Sequence, residues 1–184
     1  MKRTMQLTLA IAVLALSAPS FAGAAGITSS EGNLLAPGTW VNGVSHDTVL
    51  SGEFFVAECE SLTLAGEISQ NNGSRVTVVD TGLSEASGCS SEGTPLPIMN
   101  VTFIDAESAN ESTGTLGFTL EVDFPFGLTC HYGASAIPFS YQQNSDEISY
   151  EGTLTPSSEI CGNLEIAGDA TLTEAKTGLP VVLD

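Results

Sequence analysis

Residues 115–124 read TLGFTLEVDF, and this stretch decides the expected fold. Leu116, Phe118, Leu120, Val122 and Phe124 alternate one by one with Thr, Gly, Glu and Asp. Successive side chains of a strand point to opposite faces, whereas a helix would scatter these five apolar residues around its circumference. The stretch therefore predicts a strand with one buried face and one face in water.

Similar alternation recurs along the rest of the chain, in runs rich in Thr, Val, Ile and Phe that are separated by turn signals. Asn72-Gly73, between two such runs, is the strongest hairpin signal. The polar stretch DAESANES, residues 105–112, is expected to form a short helix or a loop. Strands do not alternate with helices, so a parallel sheet is disfavoured. The predicted fold class is all-β, an antiparallel β-sandwich or barrel.

The N-terminus has the pattern of a secretory signal peptide. Lys2 and Arg3 precede an apolar run at 7–16, and Ala22-Gly23-Ala24 supplies small residues for cleavage. We therefore predict a signal peptide over residues 1–24 and one secreted all-β domain over 25–184. No later apolar run is long enough to cross a bilayer. The predicted location is outside the cytoplasm, in the medium, at the cell surface or in the periplasm.

The secreted part is strongly acidic. Arg75 and Lys176 are its only basic residues against 22 acidic ones, which gives a formal net charge of −20. Such a charge repels phosphate backbones, so nucleic acid is not an expected partner. We expect no cofactor. Calcium is the one alternative, because acidic segments at 105–111 and 144–147 offer oxygen ligands, although no D-x-[DN]-x-[DN]-G loop is present.

The chain has four cysteines, Cys59, Cys89, Cys130 and Cys161. In an exported protein four cysteines predict two disulfides. Of the three connectivities we favour Cys59–Cys89 and Cys130–Cys161, because each segment contains a strand, a turn and a second strand that fold back locally. These two segments are either a duplicated hairpin unit or a chance likeness. Zinc binding is disfavoured, since no C-x-x-C or H-x-x-H pair occurs.

Two constellations look catalytic but are not predicted to be so. Cys130 lies beside His131, and Ser45, His46 and Asp47 follow one another. Neighbouring residues of a strand point to opposite faces, so neither set of side chains converges as nucleophilic catalysis requires. We predict no catalytic residue.

The cysteine framework resembles that of a group of uncharacterised secreted bacterial β-rich proteins with a G-L-x-C-x-Y-G motif. The likeness lies in GLTCHYGA at 127–134, CESLTLAGEI at 59–68, the segment around the last cysteine and the closing GLPVVLD. More distantly, the layout is similar to Pra-type extracellular proteins, which are alkane-oxidation activators or adhesin-like factors. The resemblance implies a secreted β-rich protein and brings no catalytic residue. The residues that carry it are Cys59, Gly66, Gly127, Leu128, Cys130, Tyr132, Gly133 and Cys161.

The expected function is a non-enzymatic role as a surface, matrix or adhesin-like protein with partners at the cell surface or in the matrix. The alternative is a small-ligand or carbohydrate-binding module, assisted by calcium in one version. Trp40 with Tyr132, Tyr141 and Tyr150 would form its sugar platform, although core packing is the favoured role of these rings. An exported hydrolase is the third hypothesis.

Overall fold

The alternating runs form long strands throughout the computed structural model. It describes residues 26–53, 55–96, 98–108, 112–124 and 127–184, so the predicted signal peptide lies outside the described residues. In chain order the elements are β1 (Ile27–Ser29), β2 (Trp40–Gly52), β3 (Val56–Cys59), β4 (Ser61–Asn71), β5 (Val76–Asp80), β6 (Glu85–Ser87), β7 (Ser90–Ser91), β8 (Thr94–Pro95), β9 (Ile98–Ser108), β10 (Thr113–Phe124), β11 (Leu128–Tyr141), β12 (Glu147–Pro156), a 3-10 turn (Glu159–Cys161), β13 (Leu164–Glu174) and β14 (Val181–Leu183).

Eight antiparallel strands close into a barrel, which confirms the all-β prediction and selects the barrel over the sandwich. The order around the barrel is β2, β4, β5, β9, β10, β11, β12, β13 and back to β2. Closure occurs at β2, which pairs with β13 on one side and, through residues 40–45, with β4 on the other. Strands β3, β6, β7 and β8 lie outside this ring and extend β2 and β4.

The stretch 115–124 forms most of β10 as predicted. Leu116, Phe118, Leu120 and Val122 are at most 3% exposed and face the interior. Its polar residues face outward, and Glu121 lies directly opposite His131 of β11. The period-two pattern therefore identified the buried face of this strand.

The prediction of a helix or loop over 105–112 was wrong for residues 105–108. These four residues end β9 and pair with both β5 and β10. Ala106 and Ser108 are on the inward face, while Asp105 and Glu107 are on the outward face, and Glu107 forms an ion pair with Arg75 at 2.8 Å. The strand alternation is present, but small inward residues conceal it. Residues 109–111 lie outside the described residues.

The predicted hairpin at Asn72-Gly73 connects β4 to β5. Gly73 has φ of 77°, a conformation that glycine adopts without a steric penalty. The Asn72 side-chain oxygen accepts hydrogen bonds from the backbone N–H groups of Ser74 and Arg75, both at 3.0 Å. The turn is therefore stabilised by its own asparagine.

Strands β1 and β14 pair with each other and plug one end of the barrel. Ile27, Val181 and Leu183 of this pair are buried against the interior. Asn71, at the end of β4, holds the plug: its Nδ2 donates to the carbonyls of Ile27 at 2.6 Å and Leu35 at 2.9 Å. We call this end, which also carries the β4–β5 and β11–β12 turns, the plugged end.

Both favoured disulfides are confirmed, and they lie towards the opposite end of the barrel. Each bond encloses a hairpin, β4–β5 in one case and β11–β12 in the other. The two units differ in detail. Cys59 ends the outer strand β3, whereas Cys130 lies within β11 and joins the 3-10 turn at Cys161. Disulfides are typical of proteins in oxidising compartments.

The two disulfides should stabilise the fold to a similar extent. Their sequence separations are 30 and 31 residues, so the chain-entropy model gives each about 3 to 4 kcal/mol. We expect the paired variants C59A/C89A and C130A/C161A to lose about this amount in urea unfolding, each measured against the wild type. A stability unchanged by complete reduction would contradict the account.

Candidate functional site

The barrel interior contains an apolar cavity of about 80 Å³ beneath the plug. All eight barrel strands contribute to its wall, together with Ile27, Val181 and Leu183 of the plug. The half of the barrel nearer the disulfides is filled instead by fully buried side chains that do not line the cavity. They include Leu50, Phe118, Val122, Leu154, Leu164 and Ile166.

The cavity exists because small residues occupy inward positions in its half of the barrel. They are Gly43 on β2, Ala106 on β9 and Ala170 on β13. A Cβ on Gly43 would meet only the Leu172 Cδ2 atom, at 3.4 Å. A Cβ would therefore fit above Gly43 in ordinary van der Waals contact with Leu172, so crowding by neighbours does not require a glycine there.

Gly66 is small for a different reason. A Cβ at this position would overlap Val78 and lie 2.9 Å from the ring of Phe103. Gly66 thus allows two larger side chains to pack closely at the wall. An unfilled cavity lowers stability by about 24 cal/mol per Å³, so 80 Å³ corresponds to about 2 kcal/mol.

A polar cluster formed by β2 and β12 interrupts the apolar wall, and Ser108 at the end of β9 is a further polar residue of the lining. The hydroxyls of Ser45, Thr48 and Tyr150 are buried, with residue exposures of 1%, 1% and 4%. Thr48 Oγ1 donates to Ser45 Oγ at 2.9 Å and shares a hydrogen bond with Tyr150 OH, also at 2.9 Å. Gly168 makes room for them, because a Cβ there would lie 2.7 Å from Tyr150 OH.

A β-bulge in β2 creates this cluster. The pairing of β2 with β13 shifts between Ala167 and Asp169, and Asp47 adopts φ of 64°. The extra residue restores the inward direction at Thr48, three positions after Ser45. Both hydroxyls therefore face the interior from one strand.

Strand alternation separates Ser45 from His46, and the bulge turns Asp47 to the outer face as well. Ser45 is buried, whereas His46 and Asp47 are exposed on the outer face. The Nδ1 atom of His46 lies 3.2 Å from the carbonyl oxygen of Glu60. The structure does not bring these three side chains together as a triad.

Cys130 and His131 point to opposite faces of β11, as expected. Cys130 is 1% exposed and bonded to Cys161, while the His131 side chain is 61% exposed. Sequence reasoning missed the partner of His131, which is Glu121 of β10, with Nδ1 and Oε2 3.1 Å apart. The register of β10 and β11 places this pair, and the sequence does not give that register.

The aromatic residues proposed as a sugar platform do not share a surface. Tyr132, Tyr141 and Tyr150 are buried in the barrel, whereas Trp40 is 45% exposed at the start of β2. The Trp40 indole nitrogen donates to the Glu67 carboxylate at 3.1 Å. The tyrosines are core residues, as favoured above, and two of them have a displaced pKa.

Burial raises the pKa of Tyr150 above its ordinary value, because the phenolate would lose its hydration inside the barrel. Hydrogen bonds with the side chains of Ser45 and Thr48 lower the pKa in part, and the charge of Asp169 raises it. Burial likewise raises the pKa of Tyr132. Tyr150 therefore remains a neutral phenol at physiological pH.

Carboxylates on the barrel exterior pair mainly with hydroxyls. Ser149 Oγ donates to Asp169 at 2.5 Å and Thr153 Oγ1 to Glu165 at 2.9 Å, both between β12 and β13. Within the described ranges, no three His, Cys, Asp or Glu residues gather in a way that could hold a metal ion. Of the segment 105–111 considered for calcium, residues 105–108 form the end of strand β9.

Comparisons with protein-family models, curated proteins and solved structures give no match to this chain. The resemblance to secreted β-rich and Pra-type proteins therefore stays a prediction. Among the residues that the structure describes, no helix has the length and apolarity needed to cross a membrane.

Filling the cavity should stabilise the protein. Ala170 faces the cavity from β13, and Ala170→Val adds methyl groups there in a strand-compatible form. We expect the free energy of unfolding to rise by about 1 kcal/mol in urea titrations. Ala167→Val is the matched control, since Ala167 lies on the outer face of the same strand, and it should change stability little. A loss of stability specific to Ala170→Val would contradict an open cavity.

Tyr150 should make stability depend on alkaline pH. Its pKa is raised in the fold, so the unfolded chain loses the phenolic proton first, from about pH 10. The stabilisation is fully present below pH 10 and is lost as the pH rises through the raised pKa of Tyr150 in the folded protein. Near neutral pH we expect the free energy of unfolding of the wild type to exceed that of Tyr150→Phe by about 1 kcal/mol, because the variant lacks the hydrogen bonds of the phenol. This difference should narrow above pH 10. A difference in the free energy of unfolding that stays constant across this pH range would show that burial does not raise the pKa of Tyr150.

Proposed function

We propose that this protein is exported and acts, without catalysing a reaction, as a binding barrel for one small, uncharged and mostly apolar molecule. The observation that carries the proposal is the cavity beneath the plug. Protein interiors are normally packed as densely as organic crystals, yet here small inward residues leave an unfilled space. A ligand would recover the roughly 2 kcal/mol that the empty space costs.

The size and chemistry of the cavity define the ligand. An apolar protein cavity of about 150 Å³ stays dry and takes up benzene or xenon. A cavity of about 80 Å³ suits a smaller guest, such as xenon or an organic molecule of about four non-hydrogen atoms. The wall is mostly aliphatic and aromatic, so a charged guest would lose its hydration without gaining a partner.

Export and the absence of catalysis are the other parts of the proposal. The predicted signal peptide and the two disulfides both favour a location outside the cytoplasm. Glu107 and Tyr150 are the titratable residues among those that line the cavity. The Glu107 carboxylate is paired with Arg75 on the outer face, and the raised pKa of Tyr150 keeps its phenol protonated at physiological pH, so neither supplies a base inside the cavity. The surface, matrix or adhesin-like role inferred from the sequence stays a prediction.

Xenon binding in solution tests the proposal. In ¹⁵N–¹H NMR spectra under increasing xenon pressure, we expect saturable shifts at the amides of Gly43 and Ala170. The same shifts should appear in Ala167→Val and be lost in Ala170→Val, which occupies the space. The absence of saturable shifts in the folded wild type would refute the proposed function.

A further inference from the structure

We propose that the natural ligand is a small neutral alcohol, whose hydroxyl is bound by the cluster of Ser45, Thr48 and Tyr150 while its carbon chain fills the apolar cavity. The inference rests on the proposed function, because it requires the cavity to hold a ligand. It goes further by naming the polar group of that ligand and the residues that recognise it.

The cluster is positioned to contact a guest. Ser45 and Tyr150 both line the cavity, from β2 and β12 respectively. Thr48 stands behind them and hydrogen-bonds to each. The polar cluster is therefore a fixed spot on an apolar wall, which is the arrangement by which small-molecule sites orient a ligand.

The cluster has hydrogen-bonding capacity to spare. Each hydroxyl carries one hydrogen and two lone pairs, so three hydroxyls bonded among themselves cannot fill all their lone pairs. Within the described part of the chain, Ser45 and Tyr150 have no hydrogen-bond partners outside this cluster. The unused capacity is mainly that of an acceptor, and a ligand O–H is the neutral donor that satisfies it.

Other polar groups fit the site less well. A ketone or ether only accepts hydrogen bonds, so it could use one cluster hydrogen but would leave the spare lone pairs of the cluster unfilled. An ammonium group would be buried without an opposite charge, and a carboxylate would in addition be repelled by the acidic exterior. A hydroxyl can donate to one cluster oxygen and accept from another, so it suits either orientation of the cluster hydrogens.

Ser108 provides an internal comparison. It is the second serine that lines the cavity, at the end of β9. Its hydroxyl donates to the Thr113 carbonyl at 3.0 Å and contacts Tyr141 OH at 3.2 Å. The Ser108 hydroxyl uses its hydrogen on Thr113 and accepts the Tyr141 hydrogen, and Ser108 takes part in a further interaction, so less of its capacity remains for a ligand.

The test compares 2-propanol with acetone, which has the same heavy-atom skeleton but lacks the hydroxyl, and uses xenon as an apolar probe. Affinities are measured by the amide shifts of Gly43 and Ala170 in wild type, Ser45→Ala, Tyr150→Phe and Ser108→Ala. We expect wild type to bind 2-propanol at least about fivefold more tightly than acetone. Ser45→Ala and Tyr150→Phe should each abolish most of this preference, while Ser108→Ala retains it and xenon binding persists in all folded variants.

Each outcome has one meaning. Equal affinity of the wild type for 2-propanol and acetone would overturn the alcohol assignment, and so would a preference that survives in both Ser45→Ala and Tyr150→Phe. In either case, binding of xenon would still support the proposed function. Loss of the preference in Ser108→Ala alone would move recognition to β9 and also overturn the assignment. A wild type that binds none of the probes would refute the proposed function and this inference together. Two independent variants are used so that misfolding of one, visible in its spectrum, leaves the other to decide.

Discussion

Closure of the eight-stranded barrel is the constraint on which the remaining structure depends. Once β2 pairs with both β13 and β4, every inward side chain shares one enclosed space of fixed width. Eight strands leave an interior that side chains either fill or leave open for one small ligand. This chain does both: Phe118 and Leu164 fill the half near the disulfides, and Gly43 and Ala170 leave space beneath the plug.

The acidic exterior and the neutral interior act together. The two basic residues, Arg75 and Lys176, cannot neutralise the acidic residues. Several carboxylates instead accept hydrogen bonds from Ser and Thr hydroxyls of a neighbouring strand, as Asp123 does from Thr129 at 2.6 Å. Mutual repulsion of these charges favours expansion of the chain, and the two disulfides oppose it by restricting the unfolded state. The same field disfavours anions near the barrel and is consistent with a neutral ligand.

Local patterns predicted the features that depend on local physics. The alternation in 115–124 identified a buried strand face, Asn72-Gly73 identified a hairpin, and cysteine placement identified both disulfides. The choice between barrel and sandwich was left open, because closure depends on pairing between β2 and β4 that no single stretch contains. Residues 105–108 were misassigned since inward Ala106 and Ser108 weaken the hydrophobic signal.

The candidate site could not be predicted from the sequence, because it too depends on contacts between distant segments. Its polar cluster joins Thr48 to Tyr150, which is 102 positions away, and depends on a bulge at Asp47 that re-aims Thr48. The one available signal was the recurrence of Gly, Ala and Ser at alternate positions, as at 43 and 45 or 168 and 170. Such residues also occur in loops and weak strands, so the signal gains meaning only once the barrel is closed.

The central claim is that the plugged half of the barrel contains an apolar space that the chain itself does not fill. A crystal structure determined under xenon pressure tests it most directly. The account predicts one strong xenon site inside the barrel, bounded by Gly43, Phe139, Ala170 and Val181. Side chains collapsed into this space, with no xenon bound there, would contradict it.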